Sequence, residues 1–179
     1  MSAEVGRAGR SGAVVIVGVL SDTHSHLYSE VKKALEGVDH IIHAGDVGSP
    51  QVLAELRALA PVTAVQGNCD CDAWAQALPA RAELTLAGAR LAVGHVGPPI
   101  DEWVKRQEAT GGHFDVVIFG HSHMAALEWR RGVLYLNPGS AGPRRFNRPR
   151  SIAKLTIRPA ASGEAKAAPA LQAEIITLD

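Results

Sequence analysis

Cysteine is nearly absent: Cys69 and Cys71, one residue apart, are the only two in a chain of 179 residues. Thiols that close cannot staple a domain of this size, and two are too few for a structural zinc site. A disulfide or zinc scaffold is therefore excluded, and a reducing, cytoplasmic setting is expected. Net charge is also absent, since 18 Lys and Arg balance 18 Asp and Glu. General nucleic-acid binding, which needs a basic stripe, is not expected. No apolar run approaches the ~20 residues of a membrane-crossing helix, so no membrane association is expected. Gly12 to Leu20, behind Arg7 and Arg10, has the look of a signal peptide, yet no small-x-small cleavage pattern follows. Cleavage there would strip Asp22 of the segment before it, so a buried strand is the expectation. Gly45 to Ser49 lacks the lysine of a phosphate loop. There is no internal repeat.

What is present is the pattern of one α/β domain. Residues 1–12, rich in Gly, Ser, Ala and Arg, read as a flexible N-terminal tail, and 13–179 as a single domain. Val14 to Leu20, Ile41 to Ala44 and Val62 to Val65 are strand-like. Between them, Leu27, Val31, Ala34, Leu35 and Val38, then Val52, Leu53, Leu56 and Leu59, recur at helical spacing. This β-α-β-α-β alternation implies parallel strands. Residues 71–80 form a loop with one helical turn near Trp74. Ala82 to Leu86 and Arg90 to Val93 pair as strands, and Pro98 to Ala109 is a third helix. Val116 to Phe119 is a strand, and Ala125 to Arg130, Val133 to Asn137, Ser151 to Arg158 and Leu171 to Leu178 are strand-like, with Pro159 to Pro169 as a loop. An α/β half followed by a mostly antiparallel half suggests two packed sheets with helices outside.

Five short blocks each follow an apolar run: Asp22-Thr23-His24, Gly45-Asp46, Gly67-Asn68, Gly94-His95 and Gly120-His121-Ser122-His123. Strands of an open sheet end side by side, so these blocks should meet in one crevice. Two aspartates, an asparagine and four histidines suit hard-to-borderline divalent cations without any thiolate. One octahedral ion cannot use all seven and still admit substrate, so two ions sharing a carboxylate are expected.

The order D-x-H, G-D, G-N, G-H, G-H-x-H resembles the calcineurin-like metallophosphoesterases. More narrowly the chain is similar to their YfcE-type small phosphodiesterases, related to the retromer subunit Vps29. That likeness rests on Ser21-Asp22-Thr23-His24, His43-Ala44-Gly45-Asp46, Gly67-Asn68-Cys69-Asp70, Gly120-His121-Ser122-His123 and Asn137-Pro138-Gly139-Ser140, over about Val14 to Ile157. The resemblance implies an α/β fold of four layers, an αββα sandwich of two mixed sheets flanked by helices. It implies a dinuclear metal-dependent phosphoesterase, most simply a phosphodiesterase, using in-line attack of a hydroxide that bridges the ions. Asp22, His24 and His123 match ligands of one ion, Asn68, His95 and His121 those of the other, and Asp46 the bridging position. Manganese is the first choice of metal, with iron, nickel, cobalt or zinc as alternatives. The alternatives in function are a phosphomonoesterase on a small metabolite, or a non-enzymatic scaffold. A homodimer or higher homo-oligomer is compatible with this class.

Many metallophosphatases carry a histidine that protonates the leaving group where this chain has Cys69. Cys69 reads either as a weak acid or as a small packing residue. His26 is either a substitute acid, a rim contact for phosphate or an exposed loop histidine. His43 reads as support for a ligand or as a core histidine, and His40 and His113 as surface or loop residues. Asn137 and Ser140 either wall the site or form a plain turn. Arg144, Arg145, Arg148 and Arg150 make a solvated loop or a phosphate-gripping rim. Trp74, Trp103 and Trp129 are expected to be packing residues.

Overall fold

The computed structural model describes residues 13–144, 147–160 and 168–178. The expected tail at 1–12, Arg145 and most of the loop between Pro159 and Pro169 lie outside the described residues. Among the described residues ten strands form two five-stranded sheets. The first has the order β10-β9-β1-β2-β3, from Ala170–Leu178, Arg150–Arg158, Val15–Leu20, His40–His43 and Val62–Ala64. The second has the order β4-β5-β6-β8-β7, from Arg81–Leu86, Ala89–Gly94, Val116–Ile118, Val133–Asn137 and Ala126–Arg130. Both are mixed. β1, β2 and β3 run parallel, as do β5, β6 and β8, while β9 and β10 in one sheet and β4 and β7 in the other are antiparallel to their neighbours.

Side-chain alternation along the strands builds the layers. Val17 and Val19 of β1 and Ile42 of β2 face Leu91 and Val93 of β5, Val116 and Ile118 of β6, and Leu134 and Leu136 of β8 in a fully apolar inter-sheet core. Their neighbours Leu20 and Ile41 point the other way, against Val31 of α1 (Ser29–Ala34) and Val52, Leu53 and Leu56 of α2 (Pro50–Arg57). On the far side Ala92, Val117 and Val133 receive Ile100 and Val104 of α3 (Gly97–Ala109) with Phe114. The result is the four-layer αββα sandwich, and each large side chain buried in it contributes roughly 1.5–3 kcal/mol.

The sequence halves do not correspond to the sheets. β9 returns to pair on β1 and β10 pairs in turn on β9, so the first sheet joins the earliest and the latest strands of the described residues. The first helix is shorter than its apolar spacing implies, because the chain turns after Ala34 and Gly37 adopts a φ of 76°. Leu35 and Val38 still pack beside Val31 from that turn. Two expectations need correcting. Trp129, on the outermost strand of the second sheet, is 58% exposed rather than packed. His40 is not a surface residue: it opens β2, is half-buried, and its Nε2 lies 2.9 Å from Thr63 Oγ1.

Candidate metal centre

The crevice lies between two sheets, not at the lip of one. Asp22, Asp46 and Asn68 follow β1, β2 and β3 of the first sheet, and His95 and His121 follow β5 and β6 of the second. Residues directly after these strands turn sharply. Asp22, His24, Asp46, His121 and His123 all adopt positive φ, between 46° and 67°. Asp and His tolerate this left-handed region better than bulky residues, so five of the seven candidate ligands occupy positions that favour their own residue types. The loops also interlock. Asp22 N–H donates to Gly45 O at 3.0 Å and His24 N–H to Asp46 O at 3.0 Å. At Gly120 an added Cβ would collide with Ser21 Oγ, and at Gly67 with the backbone nitrogen and Oδ1 of Asp46, so these loops approach closely only because no side chain intervenes.

All seven side chains come together. His123 Nε2 lies 3.2 Å from Asp22 Oδ1 and 3.5 Å from His24 Nε2. Asn68 Oδ1 lies 2.8 Å from His121 Nδ1 and 3.0 Å from His95 Nε2. Asp46 Oδ2 stands between these lobes, 3.9 Å from His24 Nε2 and 3.4 Å from His95 Nε2. Three groups could each hold an ion, their ligand atoms within 4.8 Å of one another: Asp22, His24 and His123; Asp22, Asp46 and His95; and His24, Asp46 and Cys69.

The hydrogen-bond polarity fits a cation. His95 Nδ1 lies 2.7 Å from Ala44 O, which can only accept, so Nδ1 carries the proton. In the neutral ring Nε2 then presents a lone pair toward Asn68 Oδ1 and Asp46 Oδ2, two further acceptors. Converging lone pairs require a proton or a metal ion between them. Asp22 Oδ1 is likewise buried without a hydrogen-bond donor. The electrostatics agree. Burial opposes charging of His95, but the Asp46 carboxylate and Ala44 O outweigh it and hold the ring's pKa above the usual imidazole value. Burial also opposes ionisation of Asp46, yet His95 and the Cys69 N–H, which donates to Oδ1 at 2.8 Å, keep its pKa below the usual carboxylate range. For Asp22 burial prevails and pushes the carboxyl pKa up.

Comparison with known proteins places the chain in a family. A calcineurin-like phosphoesterase superfamily domain matches residues 15–159. This chain belongs to that superfamily. A “Probable metallophosphoesterase” of Methanothermobacter thermautotrophicus is 36% identical over 132 residues, covering 70% of this chain and 77% of that protein. A solved archaeal phosphodiesterase is 26% identical, with a TM-score of 0.68 over 92% of this chain and all of that one. The vacuolar protein sorting 29 of Cryptosporidium parvum shares the fold at 16% identity, with a TM-score of 0.69 over 92% of this chain and 99% of that one.

The residues around the metallophosphoesterase crevice divide by what they touch. Cys69 is exposed, not packed in the core. His26 is exposed too; its Nδ1 lies 2.8 Å from His24 O and its ring stacks on Tyr28 at 6.1 Å. Asn137 is a brace: Nδ2 donates to Gly120 O at 2.9 Å and to Ser122 Oγ at 3.1 Å, and Oδ1 accepts from Gly139 N–H at 2.9 Å. Ser140 Oγ donates to Asp22 O at 3.2 Å. The N-P-G-S turn thus ties the D-x-H and G-H-x-H loops together. Arg144 and Arg148 line a narrow cleft beside His123, and Arg148 donates to Ser122 O at 3.1 Å. Arg150 instead lies over the Tyr28 ring at 4.0 Å, with Glu30 3.7 Å away.

Two structural participants escaped the sequence reading. Asp70 is buried and accepts three backbone N–H groups: Val47 at 3.1 Å and Gly67 at 2.9 Å on Oδ2, and Gly48 at 2.8 Å on Oδ1. It clamps the Gly45-Asp46 loop onto the Gly67-Asn68 loop. Its signal was an acidic residue two places after Asn68. Thr23 donates to Val47 O at 2.8 Å and therefore accepts from His43 Nε2 at 2.9 Å, so His43 steadies the residue between Asp22 and His24.

Proposed function

We propose that this chain is a phosphodiesterase working with two divalent cations, one held by Asp22, His24 and His123, the other by Asn68, His95 and His121, with Asp46 shared. The observation that carries this reading is the convergence of acceptors from two lobes on Asp46, which lies 3.9 Å from His24 and 3.4 Å from His95. Manganese is the proposed occupant, and the nitrogen and oxygen donors also suit iron, nickel, cobalt or zinc. When bound, such ions neutralise the phosphate and supply an acidified water as nucleophile. The chain's own residues orient the ester and keep Asp46 ionised. Outside the ligand set no serine, threonine or aspartate is proposed as a covalent nucleophile. With Cys69 in the position where related enzymes carry an acidic histidine, leaving-group protonation is weak and activated esters are favoured.

The test uses metal-stripped protein reloaded with single metals, assayed on bis-p-nitrophenyl phosphate and p-nitrophenyl phosphate with bound metal counted. Two ions per chain and a diester rate well above the monoester rate are expected, with both metal and activity lost in Asp46→Asn. At most one ion per chain in active protein refutes the two-cation reading. A monoester preference replaces it with a phosphomonoesterase, and a chain that neither binds metal nor hydrolyses either ester is a scaffold.

A further inference from the structure

A cleft of about 360 Å³ opens beside Asn68 and His95, on the side of the cluster away from the arginine segment at His123. That volume lies within the ~300–1,000 Å³ of pockets that take small organic ligands. One wall is a face of α3, where Pro99, Glu102 and Arg106 are spaced for a common side. Arg81, the first residue of β4, also lines the cleft, held there by pairing with Gly94 next to His95. Val96 and Ile100 add apolar surface.

The charge of this cleft is unbalanced. Arg90, Arg130 and Arg150 form ion pairs, whereas among the described residues neither Arg81 nor Arg106 has a carboxylate within ion-pair distance. Glu102 and Arg106 are spaced for an i, i+4 pair, yet they do not form one. The Arg81 guanidinium rests 5.4 Å above the Trp103 ring, which orients it without neutralising it. The first turn of α3 contributes little to anion binding, because Pro98 and Pro99 carry no N–H. Anion recognition therefore falls to the two guanidiniums, whose planar forks match phosphate.

We propose that this cleft takes the organic half of the substrate and that this half carries a second phosphate: the preferred esters are small phosphorylated organic molecules, with one phosphate over the ligand cluster and another at Arg81 and Arg106. This rests on the phosphodiesterase reading for the first phosphate. The anion pocket itself is tested without metal. Binding of adenosine 5′-monophosphate and of adenosine to EDTA-treated full-length protein is measured by titration calorimetry. The chains compared are wild type, the double variant Arg81→Gln/Arg106→Gln, the single variant Arg106→Gln and the distant control Arg90→Gln. The monophosphate is expected to bind at least ten times more tightly than adenosine. The double variant should lose that advantage, the exposed helix-surface variant Arg106→Gln should lose part of it, and Arg90→Gln should retain it. Absent saturable binding, equal affinity for the two ligands, or an unchanged advantage in Arg106→Gln overturns the proposal. Hydrolysis of bis-p-nitrophenyl phosphate by the reloaded wild type is read separately. If that fails while arginine-dependent binding persists, the phosphodiesterase reading falls and the anion pocket stands.

Discussion

Replacing Asp70 by alanine should unsettle the centre without touching any candidate ligand. Asp70 is only 2% exposed, and its carboxylate accepts from the N–H groups of Val47, Gly48 and Gly67 at 2.8–3.1 Å. Hydrogen bonds to a charged group contribute ~1.5–3 kcal/mol each, so three set a ceiling of about 5–9 kcal/mol. The clamp lies beside exposed Asn68 and Cys69, where water can reach part of the gap, which lowers the expected loss to about 3–5 kcal/mol. Against a typical total of ~5–15 kcal/mol that is a large fraction. Asp70→Asn keeps the shape but turns one acceptor into a donor facing an N–H, and should lose about 1–3 kcal/mol. Urea unfolding of EDTA-treated protein, followed by far-ultraviolet circular dichroism, is the direct measure. With a slope of about 2 kcal/mol/M, Asp70→Ala should lower the midpoint by about 2 M and Asp70→Asn by about 1 M. Because the clamp joins the Asp46 and Asn68 loops, metal affinity should fall in the same order. A midpoint shift under 0.3 M for Asp70→Ala, with unchanged slope, would refute the clamp.

Gly120→Ala should lower both stability and metal content, since its Cβ meets Ser21 Oγ and Asp22 Oδ2; thermal unfolding and metal analysis would detect it, and a variant matching wild type in both would count against close loop contact. His43 is neutral in the fold because burial pushes its pKa down to about 3 from 6.5. Its unfolded form gains a proton below 6.5, so metal-free stability present above that pH is lost as pH falls toward 3, by about 3 kcal/mol at pH 4.5. Unfolding of wild type and His43→Gln between pH 7 and 4.5 checks this, and parallel pH profiles would contradict it. Wild type should show rates that depend steeply on leaving-group pKa, and Cys69→His should flatten that dependence. A shallow wild-type slope that steepens in His26→Ala would instead make His26 the acid.

Much of this architecture was legible in local pattern. Val15 to Leu20 reads as a strand because β-branched and aliphatic residues succeed one another, and Pro98 to Ala109 as a helix because Ile100 and Val104 recur on one side. The candidate ligands were legible because each follows a strand, where chain direction alone carries it to the sheet's end. Periodicity could not say which sheet β9 and β10 would join. Backbone pairing groups are the same on every strand, so the partner is chosen by side-chain burial across residues far apart in sequence. Nor could it tell that Trp129 stays exposed on an edge strand while Asp70 disappears beneath two loops, because exposure depends on what the rest of the chain places alongside. The sequence by itself determined the strands, the helices and the chemistry carried at their ends. Only tertiary structure decided that two sheets meet so that Asp46 stands between two histidine lobes, and that Arg81 and Arg106 line one cleft with Glu102 yet form no ion pair among the described residues. Those relations are non-local: they arise from packing contacts between segments that no short window of sequence contains.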